Sequence, residues 1–193
     1  MLGLMIYPVQ TSLPGLGEVG SPESGIREIE DFLENPDEWF QRLATGLAWN
    51  RRMRSRHTYT FGHVYDPGHG LRFVRNMPGY LEPLLEKMNR VFGFFPNNCL
   101  ANHYPDGTHY IGFHADQGEE MKSGGGVAIV SLGAVRTMVI RRIDNPDNKF
   151  LYPLKPGSAI YIKDEIQKTW EHGIPKQAGK GPRISLSFRH LVN

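Results

Sequence analysis

Apolar positions along this chain change their period near residue 96. Before that point they recur at helical spacing. Leu81, Leu84, Leu85, Met88 and Phe92 fall on one face of a helix from Pro78 onward, and that stripe is expected to pack into the core. A second helix is predicted from Pro36 to Leu47, and a short one from Pro22 and Glu23 through Phe32 and Leu33, with acidic residues near its start. After Pro96 the pattern breaks into short runs that read as strands, at 98–104, 109–114, 127–133, 136–143, 150–154, 158–163, 168–173 and 183–190. Turns such as Pro105-Asp106-Gly107, Asn145-Pro146-Asp147-Asn148 and Lys155-Pro156-Gly157 separate them. Helices first and strands later exclude a doubly wound βα alternation. They predict a mainly β fold with supporting helices on one sheet face, either a sandwich or an incompletely closed barrel.

Composition narrows the class. A chain of 193 residues with 39% hydrophobic and 22% charged residues is expected to form one domain, over 23–193. Residues 1–22 are rich in Gly, Pro and Ser without a sustained period, and read as an arm or irregular cap. No apolar run approaches the roughly 20 residues that cross a bilayer, so no membrane partner is expected. The start Met-Leu-Gly-Leu-Met-Ile-Tyr-Pro lacks a basic leader, and Cys99 is the one cysteine. Both features predict an intracellular protein, cytoplasmic or nuclear and not secreted, and a monomer is expected. With 22 basic against 20 acidic residues the net charge is +2, so any case for nucleic-acid binding must be local.

Two local patterns carry chemistry. His114 and Asp116 are one residue apart, which on extended chain sends both side chains to the same side, and His172 at the end of a later predicted strand supplies a third donor. Two imidazoles and a carboxylate suit a non-haem Fe(II) site with open positions. Zinc accepts the same donors, so ligand type alone leaves the metal open. In Arg183-Ile-Ser-Leu-Ser-Phe-Arg189 the two-residue period puts Arg183, Ser185, Ser187 and Arg189 on one face and Ile184, Leu186 and Phe188 on the other. A polar face inside a small barrel is costly unless a bound group satisfies it, and two arginines call for an anion, ideally a carboxylate. Asn102 and Tyr104 share a face on an earlier strand and add donors. The combined expectation is a redox-capable metal beside a dicarboxylate pocket.

With these residues in place, the chain resembles the AlkB family of iron- and 2-oxoglutarate-dependent dioxygenases over roughly 97–190. The resemblance rests on Asn102-His-Tyr104-Pro-Asp-Gly107, His114-Ala-Asp116, Ser131-Leu-Gly133, Trp170-Glu-His172-Gly-Ile-Pro175 and the strand from Arg183 to Arg189. Weaker similarity reaches back through His57-Thr-Tyr-Thr-Phe-Gly-His-Val-Tyr65. It implies a double-stranded β-helix, or jelly roll, with its core at 97–190, in which His114, Asp116 and His172 bind Fe(II). It implies further that Arg183 and Tyr104 hold the distal carboxylate of 2-oxoglutarate, while Asn102 and Arg189 lie near the end that meets iron. The implied reaction consumes O2 and 2-oxoglutarate and demethylates N-alkylated bases of DNA or RNA, releasing succinate, CO2 and formaldehyde. Ser185 stands where family members often carry Asn, and Gly118 where many carry an acidic residue two positions after the metal-binding Asp.

The substrate side is expected at 49–77, a nucleotide-recognition lid in similar proteins. Trp49-Asn-Arg51-Arg-Met-Arg54-Ser-Arg56-His57 concentrates four arginines, of which Arg51 and Arg54 are expected to grip phosphates. Tyr59, Phe61 and Tyr65 follow at strand spacing as candidate base contacts. Unstacking a base costs least in single strands, so a methylated, single-stranded or locally opened nucleic acid is the expected partner. The other readings are a dioxygenase acting on a protein or small molecule, and a catalytically silent jelly-roll binding module. Cys99 reads as a buried small hydrophobe, and Ser123-Gly-Gly-Gly126 as a turn that lacks the Gly-Lys ending of a phosphate-binding loop.

Overall fold

The computed structural model describes residues 25–66, 71–116 and 125–192, so the expected arm at 1–22 lies outside it. In chain order the elements are β1 (Ile26–Ile29), α1 (Pro36–Gly46), β2 (His57–Asp66), β3 (Leu71–Arg75), α2 (Glu82–Phe92), β4 (Asn98–Tyr104), β5 (Ile111–His114), β6 (Gly126–Gly133), β7 (Arg136–Arg142), β8 (Lys149–Leu154), β9 (Ala159–Lys163), β10 (Trp170–Ile174) and β11 (Arg183–Arg189). Single-turn 3-10 helices at Gly79–Leu81 and Ile166–Lys168 precede α2 and β10. The two helices form for local reasons. Pro36 sits in the first turn of α1 with Asp37 and Glu38 against the positive end of the helix dipole. Gly93, at φ 76°, ends α2 by donating its N–H to the Asn89 carbonyl.

The strands form two antiparallel sheets, a large one ordered β1-β9-β6-β11-β4-β2-β3 and a small one ordered β5-β10-β7-β8. Facing each other, they make the expected jelly roll. One apolar layer lies between the large sheet and the helices, where Leu43 of α1 and Leu84, Leu85 and Met88 of α2 meet Ile184, Leu186 and Phe188 of β11. A second layer lies between the sheets, with Ile129, Ile160 and Ile162 packed against Met138, Ile140, Trp170 and Ile174. The alternation read in β11 therefore holds: its apolar residues face the helices and its polar residues face the other sheet.

The structure departs from expectation in the segment before Phe32. Residues 26–29 form a strand, not a helix, paired with β9 from Ile26↔Ile162 to Ile29↔Ala159. So short a helix has little stability of its own, whereas the outer edge of β9 offers unpaired backbone groups that a strand satisfies. Asp31, at φ 52°, turns the chain away immediately afterwards. The segment 49–77 forms the β2–β3 hairpin, which extends the large sheet beyond β4. Gly62 makes the change of partner. It pairs with Asn98 of β4 and Arg75 of β3 at φ 72°, and a Cβ there would stand 2.1 Å from the Asn97 carbonyl oxygen.

Candidate active site

Antiparallel pairing of β10 with β5 sets His172 opposite His114, with ring centroids 4.4 Å apart, and Asp116 follows two residues past the end of β5. His114 Nε2 lies 3.9 Å from Asp116 Oδ1, and His172 Nε2 lies 3.7 Å from Asp116 Oδ2. One ligand atom from each residue falls within 4.8 Å of the others. Three donors bound at about 2.1 Å to one ion stand at most about 4.2 Å apart, so a small contraction suffices to close on a metal. Asp116 Oδ2 is buried and has no hydrogen-bond partner among the described residues, an arrangement that a cation would satisfy.

Neighbouring groups hold these donors in ligating form. His114 donates Nδ1–H to the Gly112 carbonyl at 2.9 Å, which leaves the Nε2 lone pair directed at the site. Burial pushes His172 down to about 4, so its imidazole is neutral at neutral pH. For Asp116, burial alone would raise the carboxyl, but the Arg189 guanidinium and the two histidines outweigh it and hold the group below its usual value. Arg189 Nη2 reaches Asp116 Oδ1 at 2.6 Å. The Asp116 backbone N–H donates to Oε1 of buried Gln167 at 2.6 Å, fixing the loop that presents the carboxylate. The neutral His172 imidazole, the His114 ring with Nδ1 bound to a carbonyl, and an ionised carboxylate fit a divalent metal of the Fe(II) type.

The triad borders a cavity of about 430 Å³ between the two sheets. The register of β11 with β4 ranks its polar wall: Arg183 opposite Tyr104, Ser185 opposite Asn102, and Arg189 opposite Asn98 at the metal end. Arg183 is only 1% exposed. Its Nη2 donates to Ser131 Oγ at 2.9 Å, while Nε and Nη1 are buried without a hydrogen-bond partner among the described residues. Burial pulls this guanidinium down from its usual value, and the Tyr104 hydroxyl offsets part of that. A buried cation with two unused donors costs free energy until an anion arrives, and its planar fork suits a carboxylate.

Not every expected residue reaches this cavity. Arg51 and Arg54 are exposed on the segment leading into β2. Tyr59 and Phe61 lie on the opposite face of the sheet, which corrects their assignment as base contacts. Phe61, 3% exposed, belongs to the helix-side core, and Tyr59 packs against that core edge-on to Phe61, beneath the Arg75 guanidinium. Pairing decides this. Thr58 is opposite Asn102, so the even-numbered residues of β2 share the cavity face and the odd-numbered aromatics turn away. The Tyr65 side chain, Gly118, Ser123 and Gly124 lie outside the described residues, and Gly126 opens β6. Trp170 packs between the sheets 5.5 Å from Phe150, anchoring its strand. Cys99 is fully buried, and burial pushes its thiol up, as expected of an inert hydrophobe. Sequence reasoning missed Ser131, Gln167 and Arg136 as supporting groups. Arg136 is fully buried and donates to Gln177 Oε1 and to the carbonyls of Asp106, His109 and Pro175, tying together the loops beneath Tyr104.

Comparison with known proteins bears on this geometry. The profile of the 2OG-Fe(II) oxygenase superfamily matches residues 29–189. The DNA oxidative demethylase ALKBH2 of Homo sapiens is 32% identical over 178 residues, spanning 86% of this chain and 68% of that protein. The alpha-ketoglutarate-dependent dioxygenase alkB homolog 3 of Mus musculus is 29% identical over 207 residues, spanning 91% of this chain and 70% of its own length. Among solved structures, OsALKBH1 superposes with a TM-score of 0.68 at 16% identity, over 86% of this chain and 98% of that one. An oxidoreductase of the 2OG-Fe(II) oxygenase family from Burkholderia pseudomallei superposes with a TM-score of 0.61 at 14% identity, over 86% and 85%.

Proposed function

This chain belongs to the 2OG-Fe(II) oxygenase superfamily and, within it, to the AlkB family, and from that premise we propose that it removes N-methyl groups from bases of DNA or RNA by oxidative demethylation. The observation that carries the reading is one cavity holding both the His114, Asp116 and His172 donors and the buried, half-unpartnered Arg183 guanidinium. Arg183 and Tyr104 take the distal carboxylate of 2-oxoglutarate, with Ser131 fixing the guanidinium from behind. Ser185 and Asn102 line the middle of the cavity, where a hydroxyl and a carboxamide donate to the bound acid. Arg189 keeps Asp116 ionised and stationary, so the ligand set changes neither protonation nor position as acid enters.

His114, Asp116 and His172 would hold ferrous iron, which with 2-oxoglutarate and O2 would supply the oxidising chemistry that converts an N-methyl group to formaldehyde and a free N–H, with succinate and CO2 as co-products. The apolar side chains of Ile129, Met138 and Ile174 line the cavity beside its polar wall. No side-chain nucleophile is required. Arg51 and Arg54 hold phosphates, and a base enters from a single strand or an opened duplex, where unstacking costs least. The protein acts as a monomer inside the cell, in cytoplasm or nucleus; no helix among its described residues is long and apolar enough to cross a membrane.

The test is incubation with Fe(II), ascorbate, 2-oxoglutarate and a mixed panel of methylated DNA and RNA oligonucleotides, followed by mass spectrometry. Equal yields of succinate and demethylated base, lost in His114→Ala and Asp116→Ala, are expected. Absence of both products across the panel overturns the reading. Succinate formed with every oligonucleotide unchanged is turnover balanced by ascorbate without a nucleic-acid substrate, the outcome that favours a protein or small-molecule substrate over a base.

A further inference from the structure

The arginine run ahead of β2 reads in sequence as one basic patch, but the structure divides it. Arg51, Arg52 and Arg54 are exposed, whereas Arg56 is half-buried and lines the cavity that holds Arg183 and the metal donors. Pairing explains the difference. His57 is opposite His103 and faces the helices, so Arg56, one residue earlier, takes the cavity face. Its Nε donates to Asn102 Oδ1 at 2.8 Å.

That bond has a chemical consequence. A carboxamide fits its site equally well either way round, presenting a donor or an acceptor, and its hydrogen-bond partners alone choose. A guanidinium can only donate, so Arg56 commits the Asn102 oxygen to itself and leaves Nδ2 as the other pole. The contact of Nδ2 to the Leu100 carbonyl is 3.5 Å, long enough to leave the amine available. Asn102 is 3% exposed and opposite Ser185, in the middle of the polar wall. Without Arg56 the amide is free to turn and present its oxygen to an incoming carboxylate, which repels it.

We propose that Arg56 is a positioning residue for 2-oxoglutarate: it locks the Asn102 carboxamide with its amine toward the acid, and belongs functionally to the co-substrate pocket, not to the phosphate-binding surface its sequence neighbours form. The inference rests on the reading that 2-oxoglutarate occupies this cavity.

The test compares parent, Arg56→Ala, Arg56→Lys and the double variant Arg51→Ala/Arg54→Ala. Calorimetry under nitrogen measures 2-oxoglutarate binding to Mn(II)-loaded protein, and a salt titration measures binding of an unmodified single-stranded oligonucleotide. Arg56→Ala weakens 2-oxoglutarate binding by about tenfold to a hundredfold, the worth of one charge-assisted hydrogen bond, and leaves the salt slope of oligonucleotide binding unchanged. Arg56→Lys, which keeps a donor, recovers part of that loss. The double variant behaves in reverse, with a shallower salt slope and the parent's 2-oxoglutarate affinity. In turnover, Arg56→Ala raises KM for 2-oxoglutarate with little change in kcat. Two-oxoglutarate affinity within twofold of the parent in Arg56→Ala overturns the proposal, as does a salt slope reduced by about one with acid binding intact, which makes Arg56 a phosphate contact. Parent protein that binds no 2-oxoglutarate overturns the functional reading itself and this inference with it. If Arg56→Ala folds poorly, judged by its melting temperature, the Lys variant decides: no loss at all refutes the role.

Discussion

Replacing Arg183 by methionine separates what this side chain does for the ligand from what it does for the fold. In the ligand-free protein the guanidinium is 1% exposed, with one hydrogen bond to Ser131 Oγ and two buried nitrogens lacking partners. Each unsatisfied buried group costs about 1 to 3 kcal/mol, and the single bond and the contact with the Tyr104 ring return only part of that. Methionine fills similar space without a charge, so Arg183→Met leaves the ligand-free protein unchanged or stabilises it by up to about 2 kcal/mol. Ligand binding moves the other way. Two charge-assisted bonds to a carboxylate contribute roughly 3 to 5 kcal/mol, so the variant loses about two to four decades in Kd. Urea unfolding with and without 2-oxoglutarate on the Mn(II)-loaded protein reads both quantities. Parent protein at a hundredfold excess over Kd gains about 2.7 kcal/mol, and the variant at the same concentration gains at most about 0.4 kcal/mol. The reasoning fails if Arg183→Met costs more than about 2 kcal/mol without ligand, or if the acid still stabilises it by more than about 1 kcal/mol.

Gln167→Leu removes the acceptor for the Asp116 N–H and is expected to weaken Mn(II) binding at least tenfold, measured by titration; a change under twofold refutes its role in presenting the carboxylate. Arg136→Met removes four hydrogen bonds beneath Tyr104. The Gln177 oxygen keeps the Thr137 N–H and the Asp106 carbonyl keeps the His109 N–H, but the bonds to the His109 and Pro175 carbonyls have no such replacement among the described residues. The loss costs roughly 3 to 5 kcal/mol and lowers Tm by about 10 °C; a shift of only a few degrees would show that the loops hold without it. Metal-free protein loses stability on acidification between about pH 6.5 and 4, because burial pushes both His172 and His103 down to about 4, and the unfolded chain takes up protons in that window that the native chain refuses. His172 contributes roughly 3 kcal/mol and the half-exposed His103 less, whereas Asp116, held low, matters only at more acidic pH. Urea midpoints that stay flat from pH 7 to 4.5 would refute this.

How far the sequence reached depended on whether a pattern determined its own surroundings. The alternation in Arg183–Arg189 did, because arginine and serine on one face with Ile184, Leu186 and Phe188 on the other can be buried only one way round. The stripe of Leu84, Leu85 and Met88 likewise named its own core face. In β2, by contrast, threonine alternates with His57, Tyr59 and Phe61, and both faces of a sheet covered by helices on one side and a second sheet on the other accept such residues. Only the register Thr58↔Asn102 decides that the aromatics face the helices. The same register puts Arg56 on the cavity face next to His57, whereas Arg54 lies two residues further from the paired strand and stays exposed. Gln167 and Arg136 left no periodic trace, since their partners lie 51 and 27 to 41 residues away and are partly backbone. The helix expected before Phe32 failed because a vacant strand edge is a tertiary fact.

Charge in the cavity links its two occupants. Among the described residues, Arg56, Arg183 and Arg189 stand against a single carboxylate, Asp116, and His172 is neutral, so the described lining carries a net positive charge before anything binds. A divalent cation entering alone adds to it, with Arg189 already paired to one of the ligand's oxygens. A dicarboxylate entering with the cation restores the original sum, and Arg183 gains the partner it lacks. Metal and acid are therefore expected to bind cooperatively, each raising the other's affinity by about five- to a hundredfold, the usual range for coupled sites. Chelation through the keto group contributes to that coupling, but glutarate, which has both carboxylates and no keto oxygen, isolates the electrostatic part. Glutarate should raise Mn(II) affinity in the parent protein and have no effect in Arg183→Met. An Mn(II) Kd indifferent to glutarate in the parent would mean that the arginines are screened or displaced, and that the unpartnered nitrogens of Arg183 do not represent a site prepared for an acid.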